Sequence, residues 1–180
     1  MSKADFESKS LVMIVLTGYR LNLVFGWIGS LHAQGAVEQT LLFQAGSAFA
    51  ISASVMAGRY TGLRGQHVAA SGYILLGIAH GISLAALGKE GIDPAREATM
   101  AMPMIPALIF MLWCNLFPIW LRVVGLVPSV FFALIYVRVH LDDALVVRML
   151  YLGYATLQLT EVLWGVYLFR DWKRIASQGR

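Results

Sequence analysis

Charge is what this sequence has least of. Only 13% of its 180 residues are Asp, Glu, Lys or Arg, about half the share of an ordinary soluble domain. Too few charges are present to clothe a water-facing surface, which excludes a soluble globule. Cysteine is nearly missing as well: Cys114 stands alone and has no partner for a disulfide scaffold. Disorder and collagen are excluded by the 58% hydrophobic content. No CxxC, HExxH, GxSxG or Walker A pattern occurs, and no glycine-rich loop follows a strand. A buried redox haem would want histidines paired across helices, yet His32, His67 and His140 fall near segment ends and only His80 is central. No cofactor is implied. The net charge of +4 is spread along short connecting segments, so it reads as membrane topology and not as a nucleic-acid surface.

What the chain does have is apolar runs of about 20 residues, the length that crosses a hydrocarbon core of about 30 Å. Six spans are expected: Leu11 to Leu31, Thr40 to Arg59, Val68 to Leu87, Thr99 to Asn115, Leu121 to Val139 and Met149 to Phe169. The first is read as a span and not a cleaved signal, because Arg20 interrupts it and no small-x-small site follows Leu31. The connections are short, so the spans form one compact all-α bundle, a single polytopic membrane domain over residues 1–180. The tightest join is Asn115 to Trp120, where Pro118 disfavours helix at the residue before it.

Placing the N-terminus in the cytoplasm puts nine basic residues inside: Lys3, Lys9, Arg59, Arg64, Arg122, Arg170, Lys173, Arg174 and Arg180. Four fall outside, Lys89, Arg96, Arg138 and Arg148, so both termini are expected to be cytoplasmic; no mitochondrial or chloroplast presequence is visible, so a bacterial inner membrane is expected. An offset of 81 residues lays Gly72 and Tyr73 over Gly153 and Tyr154, and His80 over Glu161. This is the trace of a weak 3+3 inverted repeat, an arrangement that in carriers often brackets a midplane site.

An ionisable group at the bilayer centre costs about 2.5 to 3.5 kcal/mol on insertion scales, so each one needs a reason. Arg20, His80 and Glu161 all lie within about 5 Å of the middle of their spans at 1.5 Å per residue. The expected arrangement is a buried Arg20–Glu161 pair beside His80, lining a polar cavity. In the plainer reading the pair only locks two helices in register, and His80 only bonds to a neighbouring helix. Gln158, three residues before Glu161, shares its face, Trp164 supplies an aromatic wall, and Gln44 completes the cluster; glutamines are also common helix glue.

Small residues recur every four positions in Gly18, Asn22, Gly26 and Ser30, in Gly46, Ala50, Ser54 and Gly58, and in Gly77 and Gly81. Such stripes let helices approach closely within the bundle or between subunits, and they support an expected homo-oligomer. Met100, Met102 and Met104 alternate in a row that suits Cu(I) by ligand softness. Around Pro103 and Pro106 the plainer reading is helix packing, and no metal site is expected.

These residues point to a small-solute or ion transporter or channel. Arg20, Gln44, His80, Gln158, Glu161 and Trp164 form its binding site, and Glu161 or His80 changes protonation during the cycle. Its partners are membrane lipids and the solute or ion. Two other readings remain open: an intramembrane enzyme acting on a lipid or isoprenoid with His80 and Glu161 as acid and base, and an accessory subunit of a larger membrane complex.

Overall fold

A long apolar segment has few side chains with which to satisfy its backbone donors and acceptors, so it satisfies them within itself as helix. The computed structural model of the chain describes residues 3–88, 91–92, 94–139 and 146–178, with side chains over 7–87, 98–138 and 148–178. It is all-helical in architecture: α1 (Lys3–Ser30), α2 (Val37–Leu63), α3 (His67–Ala86), α4 (Pro94–Phe110), the short α5 (Ile119–Val124), α6 (Val127–Val139) and α7 (Val146–Gln178). Among the described residues, extended pairing is confined to a two-residue antiparallel ladder, Leu87 with Ile92 and Gly88 with Gly91.

Four helical stretches are long and apolar enough to cross a membrane: Glu7–Ser30, Val37–Leu63, His67–Ala86 and the combined Ile119–Arg138. Ala98–Trp113 is a shorter apolar helix. The longest helix, α7, is not among the four, because Gln158, Thr160 and Glu161 interrupt its apolar run at the centre.

Sequential packing of α1 on α2, α2 on α3, α3 on α4, α4 on α6 and α6 on α7 closes into a ring when α7 returns to α1. One end of the ring gathers the start of α1, the end of α2, the start of α3 and the end of α7. It carries Lys9, Arg59, Arg64, Arg170, Lys173 and Arg174 and is called the basic end here. The turn into α3 is made at Gly65, whose φ of 73° suits glycine alone, while Gln66 N–H bonds back to Thr61 at 2.9 Å.

The six expected spans correspond to six long helical segments, with two differences. Span five is broken at Gly125 and Leu126, so α5 and α6 are separate helices. The break lies where the backbone meets the Trp164 indole, which sits 2.9 Å from where a Gly125 Cβ would be, and Pro128 is tolerated in the first turn that follows. Span six runs on past Phe169 to Gln178, because Trp172 and Asp171 still pack inward. The expected turn after Asn115 is present: a 3-10 turn at Met111–Trp113 leads to Pro118, which precedes α5. His140, Asp142 and Asp143, together with Lys89, Glu90 and Asp93, lie outside the described residues.

Most of the small-residue positions are used inside the chain. Gly18 faces Phe49 and Ala53, Gly46 faces Asn22, Gly58 faces Ala70 and Tyr73, and Gly77 faces Ser54. The residues matched by the 81-residue offset do not pack alike: Gly72 lies on Ala107 and Phe110 of α4, whereas Gly153 lies on Phe131 and Phe132 of α6. Met100 and Met104 are buried while Met102 is 62% exposed, so the three sulfurs do not share a face and do not form a ligand set.

A Cβ at Gly18 would sit 2.9 Å from both the Phe49 carbonyl oxygen and the Ala53 Cβ, whereas a Cβ at Gly81 meets nothing within 4 Å. Gly18→Val is therefore expected to lower stability by about 1–3 kcal/mol through overpacking. Gly81→Ala is expected to be neutral or to add about 0.5–1 kcal/mol by removing backbone freedom from the unfolded chain. Thermal unfolding of the two variants in one detergent, side by side, reads the difference.

Candidate functional site

Glu161 sits at the middle of α7 with its side chain fully buried. A carboxylate in that position must be hydrogen-bonded, because burying it bare is far costlier than burying it with donors. Asn22 of α1 donates from Nδ2 to Oε2 at 2.9 Å, and His80 of α3 meets Oε1 through Nε2 at 2.7 Å. Three helices thus converge on one carboxyl group.

Local helix geometry explains which residues arrive. Tyr19, Asn22 and Gly26 are spaced i, i+3, i+7, so they share one face of α1. Gly26 has no side chain, and the Gln158 amide fills the space, with its Nε2 2.3 Å from where a Cβ would stand. From there Gln158 Nε2 points at the Asn22 carbonyl oxygen at 3.4 Å and at Asn22 Oδ1 at 3.5 Å, both long for hydrogen bonds. Tyr19 is fully buried and its hydroxyl meets Ser54 Oγ of α2 at 3.1 Å.

Above this cluster, toward the end opposite the basic one, lies a cavity of about 640 Å³ between α1, α2, α3 and α7. Its floor is Asn22, His80 and Gln158, and its walls include Trp27, Phe43, Leu150, Tyr151 and Tyr154. Ser83 Oγ and the Tyr154 hydroxyl meet at 2.5 Å on its wall. Near its mouth Gln39 accepts from Gly35 N–H at 3.0 Å and donates toward the Tyr151 hydroxyl at 3.4 Å, tying the α1–α2 turn to α7. The volume falls in the range of small-molecule sites, and the lining is mostly apolar with a few convergent polar groups.

The expected site is corrected in three places. Arg20 does not pair with Glu161: it lies two positions before Asn22, about 200° around a helix of 3.6 residues per turn, and is exposed on the outer side of α1. Its depth matches Glu161 but its azimuth is opposite. Gln44 is half-buried on α2 and is neither a bonding partner of the cluster nor part of the cavity lining. Trp164 is fully buried but lines a different part of the core, stacked on Phe117 at 6.1 Å and edge-on to Tyr73 at 5.9 Å. His80, Gln158 and Glu161 are brought together as expected.

Sequence reading missed Asn22, Tyr19 and Ser54. A signal for Asn22 was available, since it interrupts a stripe of small residues whose face must be buried. It also missed a second polar knot at the basic end. There the buried Asp171 accepts from the Tyr60 hydroxyl at 2.9 Å, from Arg64 Nε at 3.0 Å and from Arg174 at 2.9 Å. Among the described residues no group of His, Cys, Asp and Glu is placed to hold a metal ion. Compared with protein-family models, with curated proteins and with solved structures, the chain matches none.

A double-mutant cycle of His80→Phe with Glu161→Gln is expected to show a coupling of about 0.5–3 kcal/mol, as for residues in one network. Arg20→Met with Glu161→Gln is expected to be additive within about 0.3–0.5 kcal/mol. Denaturant unfolding in mixed micelles measures both cycles, and a coupled Arg20–Glu161 pair alongside an uncoupled His80 would contradict the geometry.

Proposed function

We propose that this chain is an integral protein of a bacterial inner membrane, with both termini in the cytoplasm, that carries a small amphiphilic solute across the bilayer. The observation that carries the reading is the cavity of about 640 Å³ with His80, Asn22 and Gln158 at its floor and an apolar, aromatic wall above. Such a lining fits a molecule with an apolar body and one hydrogen-bonding end. Composition supports the membrane assignment, since four helical stretches have the length and apolarity to cross. The basic end would face the cytoplasm by the positive-inside bias, so the cavity would open to the other side.

The chemistry of the floor narrows the solute. His80 commits Nε2 to Glu161, which leaves Nδ1 as the ring nitrogen able to meet a ligand. In the neutral tautomer that carries its proton on Nε2, His80 donates to the carboxylate and offers Nδ1 as an acceptor. A head group that donates, an amine or a hydroxyl, is therefore favoured over a carboxylate or phosphate.

The same 2.7 Å dyad at the bottom of an apolar cavity also suits acid–base chemistry on a lipid-like substrate, and this is the second reading. Self-association is not part of the proposal, because most of the small residues that suggested it, Gly18, Gly46, Gly58 and Gly77 among them, pack inside the bundle.

Proteoliposomes loaded with a dansyl-alkylamine test the transport reading. The wild type is expected to release the probe at least tenfold faster than protein-free vesicles, and Glu161→Gln to reduce release to near that background while the protein remains folded by thermal melting. Phospholipid turnover without probe release would move the assignment to the enzymatic reading, and wild-type flux in Glu161→Gln would remove the dyad from the mechanism.

A further inference from the structure

Arg20 is the feature that the site leaves unexplained. It stands level with Asn22 and therefore with the Glu161 cluster, on the opposite side of α1, where Met13, Thr17, Val24 and Ile28 are also exposed. Among the described residues it has no ion pair and no hydrogen bond. It is about three helical turns from Ser30 and more than three from Glu7, too deep for its stem to carry the charge out to either interface. A cation at that depth on an otherwise apolar face is costly unless something meets it.

Among the described side chains, a second copy of this chain offers no free counter-charge at this depth. Glu161 and Asp171 are buried and already bonded, and Glu7 and Glu38 lie near helix ends. Two copies docked symmetrically through this stripe would bring Arg20 against Arg20. We propose that the outward stripe of α1 centred on Arg20 docks a membrane helix of a different protein, one that carries an Asp or Glu at its own midpoint. Arginine suits the role, because its planar fork binds a carboxylate in two parallel hydrogen bonds and fixes register as well as charge. Thr17, one turn away on the same stripe, adds a second polar group for the approaching helix. The inference rests on the membrane assignment above and not on the transport reading.

The test uses the full chain reconstituted in phosphatidylcholine vesicles with a dye-labelled Leu/Ala transmembrane peptide bearing one central Glu. Energy transfer from labelled protein to this peptide is expected to show association at least tenfold tighter than with peptides bearing central Leu or Lys. Arg20→Met is expected to abolish the preference while melting at or above the wild-type temperature, and Arg20→Lys to retain part of it. Equal association of all three peptides, or a Glu preference that survives Arg20→Met, would overturn the proposal. So would energy transfer between two differently labelled copies that Arg20→Met removes, or Arg20-dependent retention of phosphatidylglycerol in place of the peptide. Flotation after an alkaline wash separates the two levels: protein that does not float with the vesicles defeats the membrane assignment, whereas protein that floats and ignores the Glu peptide defeats this inference alone.

Discussion

A carboxyl group with no access to bulk water organises the interior of this bundle. Glu161 is held by Asn22 on one side and His80 on the other, so the first, third and last helices must meet at one level. Removing either donor leaves a buried acceptor unsatisfied, and that is more damaging than the loss of an average hydrogen bond. Much of the surrounding packing serves this convergence. Gly26 yields its volume to the Gln158 amide, and Gly165 lets α7 approach Leu16 and Tyr19 closely. The sequence uses glycine where helices must come near and spends its polar side chains where they meet.

The two ends of the ring are built differently. At the basic end Asp171 gathers Tyr60, Arg64 and Arg174 into one knot, and Lys9 lies over the Trp172 ring. At the other end the same helices diverge around the cavity, bridged near its mouth by Gln39 and Tyr151 and on its wall by Ser83 and Tyr154. A site closed below by charge-assisted bonds and open above through an apolar vestibule has a direction. In the transport reading proposed above, that asymmetry would give a solute one side of entry and a polar floor for its head.

Depth along a helix was legible in the sequence, and azimuth was not. Counting residues from span ends placed Arg20, His80 and Glu161 at one level correctly, because the rise per residue is fixed. It could not say that Arg20 points away, since that depends on which stripe of α1 is buried. The glycine stripe held that information: Gly18, Asn22 and Gly26 mark the inner face, and Arg20 lies off it. Gln44 and Trp164 were misplaced for the same reason. Asp171 escaped for another: the apolar run ends at Phe169, and nothing in hydropathy shows that the helix continues with an acid turned inward. The six segments and their order were readable because apolar length is a strong signal, while the break at Gly125 depended on a contact with Trp164 some forty residues later.

Ring closure between α1 and α7 bears on how the chain is made. Asn22 and His80 leave the ribosome long before Glu161 exists, so two of the three polar partners must wait in an unfinished bundle. Until α7 arrives, the floor of the future cavity is an open flank, and the early helices have only their contacts with one another, among them the Tyr19–Ser54 bond, to hold them. The contacts that complete the molecule are also those of greatest sequence separation, 81 residues for His80 with Glu161 and 139 for Asn22 with Glu161. Late, long-range contacts of this kind are slow to form. A nascent chain halted before residue 161 would therefore leave the Asn22 amide and the His80 imidazole without their carboxyl partner, a mark of incompleteness that vanishes when the last helix docks.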